Sequence, residues 1–177
     1  MEELLLDLNP KPIEKYFIEN PLGTNMFMQL DTSMCVAASI LNYMTLNKLI
    51  VHDCLIYFDM YDIHKELGGV DLYQGIPKDR LKRVNKLKNN IVLLPNRYPV
   101  CINKYINKID KGILLIVDNN KFTKCIKRSF SPPNLHAVLC YKMDNKYAYI
   151  IDSNYYAAIK YPLHILKHSI RSIINLI

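Results

Sequence analysis

Cys35 lies in the segment Gln29-Leu-Asp-Thr-Ser-Met-Cys-Val-Ala-Ala-Ser-Ile-Leu-Asn-Tyr-Met44, between cap-forming residues and an apolar run. A thiol becomes a strong nucleophile only as the thiolate. The first turn of a helix stabilises that anion through unpaired N–H groups and the positive end of the dipole. Asp31, Thr32 and Ser33 are all good N-caps, and the following Ala-Ala-Ser-Ile-Leu run has helical character. A thiolate nucleophile also needs a base, usually histidine, and a polar group that holds the imidazole in one orientation. Of the five histidines, His136 alone sits at the mouth of a strongly strand-like hairpin. Its arms are Leu135-His-Ala-Val-Leu-Cys-Tyr-Lys-Met143 and Lys146-Tyr-Ala-Tyr-Ile-Ile-Asp152, with Asp144-Asn145 between them. A three-residue loop over residues 143–145 pairs Lys142 with Lys146 and brings His136 opposite Asp152. A two-residue Asp-Asn loop shifts the partner to Ser153. In the first register a carboxylate reaches an imidazole nitrogen.

The elements that must carry these groups follow from composition and pattern. The chain has 177 residues, half of them hydrophobic, enough for one domain over residues 1–177 with a real core. Residues 33–50 read as the nucleophile helix and residues 52–67 as a second helix ended by Gly68-Gly69. A third helix is expected over residues 76–89, a short strand over 91–94 and a helix over 100–110. Residues 113–117 read as a buried strand, Asp118-Asn119-Asn120 as a turn, and residues 122–127 as a further strand. A proline-bearing loop over residues 128–134 leads into His136. Residues 164–177 form a closing helix or a mixed strand–helix tail. Helices come first and strands last, which suits an α+β arrangement.

Chain order Cys, His, then Asp or Asn resembles the papain-like cysteine peptidase superfamily. Gln29 lies six residues before Cys35, where that superfamily carries the glutamine whose amide helps form the oxyanion hole. The separation of sixteen between His136 and Asp152 is also similar to that superfamily. Within it, Cys-Val-Ala-Ala-Ser-Ile-Leu-Asn-Tyr-Met is most similar to the bacteriocin-processing peptidases that cleave after double-glycine leaders. A looser likeness is to papain-like effector proteases with a Cys–His–Asp triad. The likeness covers residues 27–46 and 134–154. It departs at Val36, where a glycine is usual, and at Ser153-Asn154, where a proline follows the aspartate. Asn154 therefore competes for the third position.

The resemblance implies an α+β papain-like fold, with a helical N-terminal half whose nucleophile helix packs on a C-terminal antiparallel sheet. It implies catalytic roles for Cys35, His136, Asp152 and Gln29, a peptide or protein substrate, and no cofactor. Cys35 would attack a carbonyl as the thiolate of an ion pair with His136, forming a thioester. The same triad also serves acyl transfer, amidase or deamidase chemistry, and a catalytically retired fold would act as a binding protein. Taken singly, Cys35 reads as a small buried hydrophobe, His136 as a satisfied strand-end histidine, and Asp152 as a turn cap.

Charge and cysteine usage bound the setting. Net charge is +7, concentrated in residues 78–88, where Lys78, Arg80, Lys82, Arg83, Lys86 and Lys88 face only Asp79. The stretch reads foremost as a solvated helix face, and it offers a surface to an acidic partner. No recognised motif accompanies the charge, which argues against a nucleic-acid partner. The odd count of five cysteines, without close pairs, fits free thiols in a reducing, cytoplasmic compartment. No Cys-x-x-Cys or His-Glu-x-x-His pattern points to a metal. No segment reaches the ~20 apolar residues of a membrane span, and the acidic start of the chain is no secretory signal. Abundant Lys, Asn, Ile and Tyr, with no Trp, fit an AT-rich genome such as that of a virus, with the host cytoplasm as the compartment.

Overall fold

The computed structural model describes residues 12–30, 33–48, 58–66, 91–93 and 112–176. Among the described residues seven strands form one antiparallel sheet: β1 (Phe17–Ile18), β2 (Ile91–Leu93), β3 (Ile113–Asp118), β4 (Leu135–Met143), β5 (Tyr147–Asp152), β6 (Ala157–Pro162) and β7 (Ile170–Leu176). Their spatial order is β1-β6-β5-β4-β3-β7-β2. The helices described are α1 (Cys35–Leu46), α2 (Phe58–Glu66), α3 (Asn119–Lys124) and α4 (Leu163–Leu166), with a 3₁₀ turn over Glu14–Tyr16. The helices expected over residues 76–89 and 100–110, the basic stretch 78–88 and Gly68-Gly69 lie outside the described residues.

Both sheet faces are covered, and the covering explains the sequence pattern. On one face α1 places Val36, Ile40 and Tyr43 against Leu114, Ile116, Ala137, Leu139 and Ile151. On the other, Ile13, Phe122, Leu163 and Leu166 pack on Leu115, Val117, Val138, Ile150 and Ile159. Every residue of β3 is therefore buried, and Ile-Leu-Leu-Ile-Val-Asp runs without polar alternation. Each such side chain contributes about 1.5–3 kcal/mol of burial. Gly112 leads into β3 at φ +98°, and a Cβ there would stand 3.1 Å from Leu139 Cδ1. Glycine is required at that junction by both conformation and space.

Three sequence expectations are corrected. Asp118 does not make a turn: its carboxylate accepts from Asn120 N–H at 3.2 Å and caps α3. The strand expected over residues 122–127 is accordingly helix as far as Lys124. Its Phe122 ring stacks on Tyr161 at 4.8 Å, a packing no local pattern announces. Between the hairpin and the tail, β6 forms a full strand bonded to β5 and β1. The tail itself is mixed, with α4 followed by β7.

The third correction concerns the register of the β4–β5 hairpin. Asp144 N–H donates to Tyr147 O at 2.9 Å, and the Asp144 carboxylate accepts from both Lys146 N–H and Tyr147 N–H at 2.7 Å. These bonds set the turn at Asn145-Lys146, so that Lys142 pairs with Tyr149 rather than with Lys146. A bulge then shifts the pairing between Cys140 and Lys142, after which Leu139 faces Ile151. His136 and Asp152 are thus diagonal neighbours on one face instead of directly opposed. The bulge is what makes this possible. Without the extra residue, the register at the turn would leave the two side chains on opposite faces.

Helix α1 is anchored by more than its apolar faces. Asn42 is fully buried and brackets the backbone of Phe27: Phe27 N–H donates to Asn42 Oδ1 at 2.7 Å, and Asn42 Nδ2 donates to Phe27 O at 2.9 Å. Asn42→Ala removes both bonds from a buried site. It is expected to cost about 2–4 kcal/mol, read as a lowered midpoint in chemical denaturation. A loss below about 0.5 kcal/mol would show that the clamp is not anchoring the helix.

Candidate active site

Cys35 is the first residue of α1, and Met34 occupies the cap position with no side-chain cap bond. The cap position thus falls at Met34, one residue beyond Ser33, and Asp31 and Thr32 lie outside the described residues. The Val36 N–H of this first turn is directed to the sulfur. Burial alone would raise the Cys35 thiol. The hydrogen bond and charge of His136, joined by the N–H groups of Ala137 and Val36, outweigh burial and hold the thiol below its ordinary value. The other two described cysteines move the opposite way. Burial pushes Cys140 up to about 12, and Cys125 is raised for the same reason.

His136 and Asp152 form a buried pair, with Nε2 at 2.8 Å from Asp152 Oδ1. Because Nε2 faces the carboxylate, Nδ1 is left for the hydrogen bond with Cys35. Burial disfavours the imidazolium. The charge and hydrogen bond of Asp152, followed by those of Cys35, overcome it and raise His136 to about 10. The linkage sign follows. A histidine raised from about 6.5 to about 10 adds stability that is complete below the lower value and lost as pH rises through the upper.

Asp152 is fully buried, and its Oδ1 also accepts from Asn154 N–H at 2.9 Å. Its Oδ2 has no hydrogen-bond partner among the described residues. Of the two candidates for the third position, Asp152 is the one on His136. The Asn154 side chain instead accepts from Gln29 Nε2 at 3.5 Å. Gln29 Oε1 accepts from Ser153 Oγ at 3.3 Å, and Gln29 N–H donates to Ser153 O at 3.3 Å. The four residues singled out from sequence thus fall into one Cys35–His136–Asp152 chain, with Gln29 held beside it through Ser153 and Asn154. Both side-chain contacts of Gln29 are at the long end of hydrogen-bond range.

Sequence reasoning passed over Ser39 and Asn42. Both are polar residues in an otherwise apolar helical run, at positions i+4 and i+7 from Cys35. That spacing puts all three on one stripe, a signal that was present in the sequence. Among the described residues no cluster of His, Cys, Asp or Glu could hold a metal ion. Nor is any helix there long and apolar enough to cross a membrane.

A helix whose first residue is a thiol packs against an antiparallel strand that carries a histidine near its start, and the chain has the α+β fold of a papain-like protease domain. Among solved structures it is similar to a double-glycine motif protease from an AMS/PCAT transporter, crystallised with the leader peptide. The two share 18% identity over 94% of this chain and 96% of that one, at a TM-score of 0.55. No protein-family model and no curated protein matches the sequence.

Proposed function

We propose that this protein is a cysteine peptidase acting through Cys35, His136 and Asp152, with a peptide that carries a double-glycine leader as substrate. The observation that carries the reading is the buried chain of contacts from the Cys35 thiol through His136 to Asp152, with 2.8 Å between imidazole and carboxylate. The leader peptide held by the structural neighbour supports the substrate class.

The mechanism follows from the charges. The Cys35 thiolate, paired with the His136 imidazolium, attacks the scissile carbonyl carbon, and the carbonyl electrons move onto oxygen. The Cys35 backbone N–H and the Gln29 amide stabilise that oxyanion, each donor contributing about 2.7–4 kcal/mol to the barrier reduction. His136 gives its proton to the departing amine as the tetrahedral species collapses to a thioester. Water, deprotonated by His136, then releases the acid and restores the thiol. Asp152 holds the ring in one orientation throughout. A thiolate mechanism of this kind suits a reducing compartment such as the cytoplasm.

The test is the rate of Cys35 alkylation by iodoacetamide against pH, read by peptide mass spectrometry with the other four cysteines as internal controls. Cys35 is expected to react selectively, with an apparent pKa well below the ordinary value of about 8.5. Reactivity should hold on a plateau up to the alkaline range, where His136 loses its proton near pH 10. In His136→Ala the low apparent pKa should disappear. Cys35 reacting no faster than its neighbours would refute the proposal.

A further inference from the structure

Ser39 is almost completely buried on α1, one turn beyond Cys35. A buried helical hydroxyl usually returns its proton to the carbonyl four residues back in its own helix. Two other residues of this protein do so: Thr45 donates to Leu41 O at 3.0 Å and Thr123 to Asn119 O at 2.8 Å. Ser39 does not. Its Oγ donates across the helix–sheet interface to Ala137 O at 3.2 Å, and Ala137 directly follows His136.

The reason lies in how β5 ends. Pairing between β4 and β5 extends no further than Leu139 with Ile151, so Ala137 has no opposing residue on that edge. The N-terminal turn of α1 supplies what the missing strand would have supplied. The Ala137 N–H faces the Cys35 sulfur, and the Ala137 carbonyl takes the Ser39 hydroxyl. One peptide segment of the histidine strand is therefore bonded at both ends to one turn of the nucleophile helix.

We propose that Ser39 is a positioning residue that sets the spacing of Cys35 from His136 by pinning the Ala137 carbonyl to α1. The inference rests on the peptidase reading above. Ser39 touches no substrate; it acts through the backbone next to His136. If the carbonyl is released, the strand is free to move relative to the helix, and both the imidazole and the Ala137 N–H retreat from the sulfur. Displacements of about 1 Å in such sites cost up to about 100-fold in rate.

The experiment is the Cys35 alkylation profile of the full chain in four variants. Ser39→Ala is expected to raise the apparent pKa of Cys35 by about half a unit or more, the scale of one hydrogen bond. Ser39→Thr, which keeps the hydroxyl, is expected to retain the wild-type profile. Ser39→Val supplies the shape of threonine without the donor and should resemble Ala, and it carries the comparison with Thr if the Ala variant folds poorly. A merely structural Ser39 would lower the melting midpoint and leave the profile in place. An activated wild-type Cys35 with an unchanged profile in Ser39→Ala, or with Thr and Val alike, overturns this proposal alone. An unactivated wild-type Cys35, compared with Cys35→Ala as the blank, overturns the peptidase reading and this proposal with it.

Discussion

Cys35→Ala is expected to abolish turnover, by about 10⁵-fold or more, while the chain stays folded. The substitution removes one sulfur and keeps the Cβ within the buried cluster that includes Met26, Ile116 and Ala137 at the helix–sheet interface. Losing so small a buried group costs about 1–2 kcal/mol, a modest fraction of a domain's stability. The charge balance survives as well. His136 loses the thiolate but keeps Asp152 at 2.8 Å, so no isolated buried charge is created. The chemistry has no such reserve. Without the sulfur there is no thioester, and the remaining oxyanion donors can supply only the residual acceleration that binding and electrostatics give. The measurement is cleavage of a double-glycine leader peptide by mass spectrometry, alongside the thermal midpoint. Cleavage by folded Cys35→Ala at a tenth of the wild-type rate would place the nucleophile elsewhere. Cys35→Ser should be nearly as inactive, because a hydroxyl in this site has no comparable route to the anion.

The three residues of the candidate site were legible because each stands on the element its neighbours dictate. Cys35 precedes an apolar helical run, and His136 opens an alternating strand. Asp152 closes the partner strand. The register that joins the last two was not legible. The Asp144 carboxylate binds two backbone amides and moves the turn to Asn145-Lys146, which by itself would have put His136 and Asp152 on opposite faces. The bulge between Cys140 and Lys142 removes that difference. Turn and bulge together displace the expected pairing by two residues, and a displacement of two preserves the face. His136 and Asp152 therefore come together by a different path from the one that the hairpin count described.

Other features were hidden for related reasons. Residues 118–127 offer one aspartate, two asparagines and a short aromatic-bearing run, which fit a turn and strand as well as a capped helix. Tertiary stacking of Phe122 on Tyr161, with the Tyr161 hydroxyl on Phe122 O at 2.7 Å, decides between them. The sheet order was likewise beyond local pattern. Pairing of β3 with both β4 and β7 joins segments far apart in the chain. The polar stripe of Cys35, Ser39 and Asn42 is different. Its spacing was visible, and only the partners across the interface, Ala137 and Phe27, required the fold.

Asp152 should separate orientation from charge in a way the other site residues do not. Asp152→Ala deletes the acceptor for His136 Nε2 and for Asn154 N–H, so the ring loses its fixed orientation. Turnover is expected to fall by more than about 10⁴-fold, the loss that an Asp→Asn change alone brings to a Ser–His–Asp triad by favouring the wrong tautomer. Asp152→Asn keeps an oxygen that can accept both bonds and removes only the charge. The negative charge of Asp152 is a principal cause of the raised His136 value near 10, so its loss must move that value down. The alkaline limb of the rate profile is therefore expected to shift to lower pH in Asp152→Asn, with a smaller rate loss than in the alanine variant. The amide also brings a cost. Its nitrogen would occupy the place of Oδ2, which has no partner among the described residues, and an unsatisfied buried donor costs about 1–3 kcal/mol of stability. The pair of variants is decisive because the size of the rate loss reads orientation, while the shift of the limb reads charge. If Asp152→Asn lost as much rate as Asp152→Ala and left the alkaline limb unmoved, the carboxylate would be acting as a packing group, with no electrostatic hold on the imidazole.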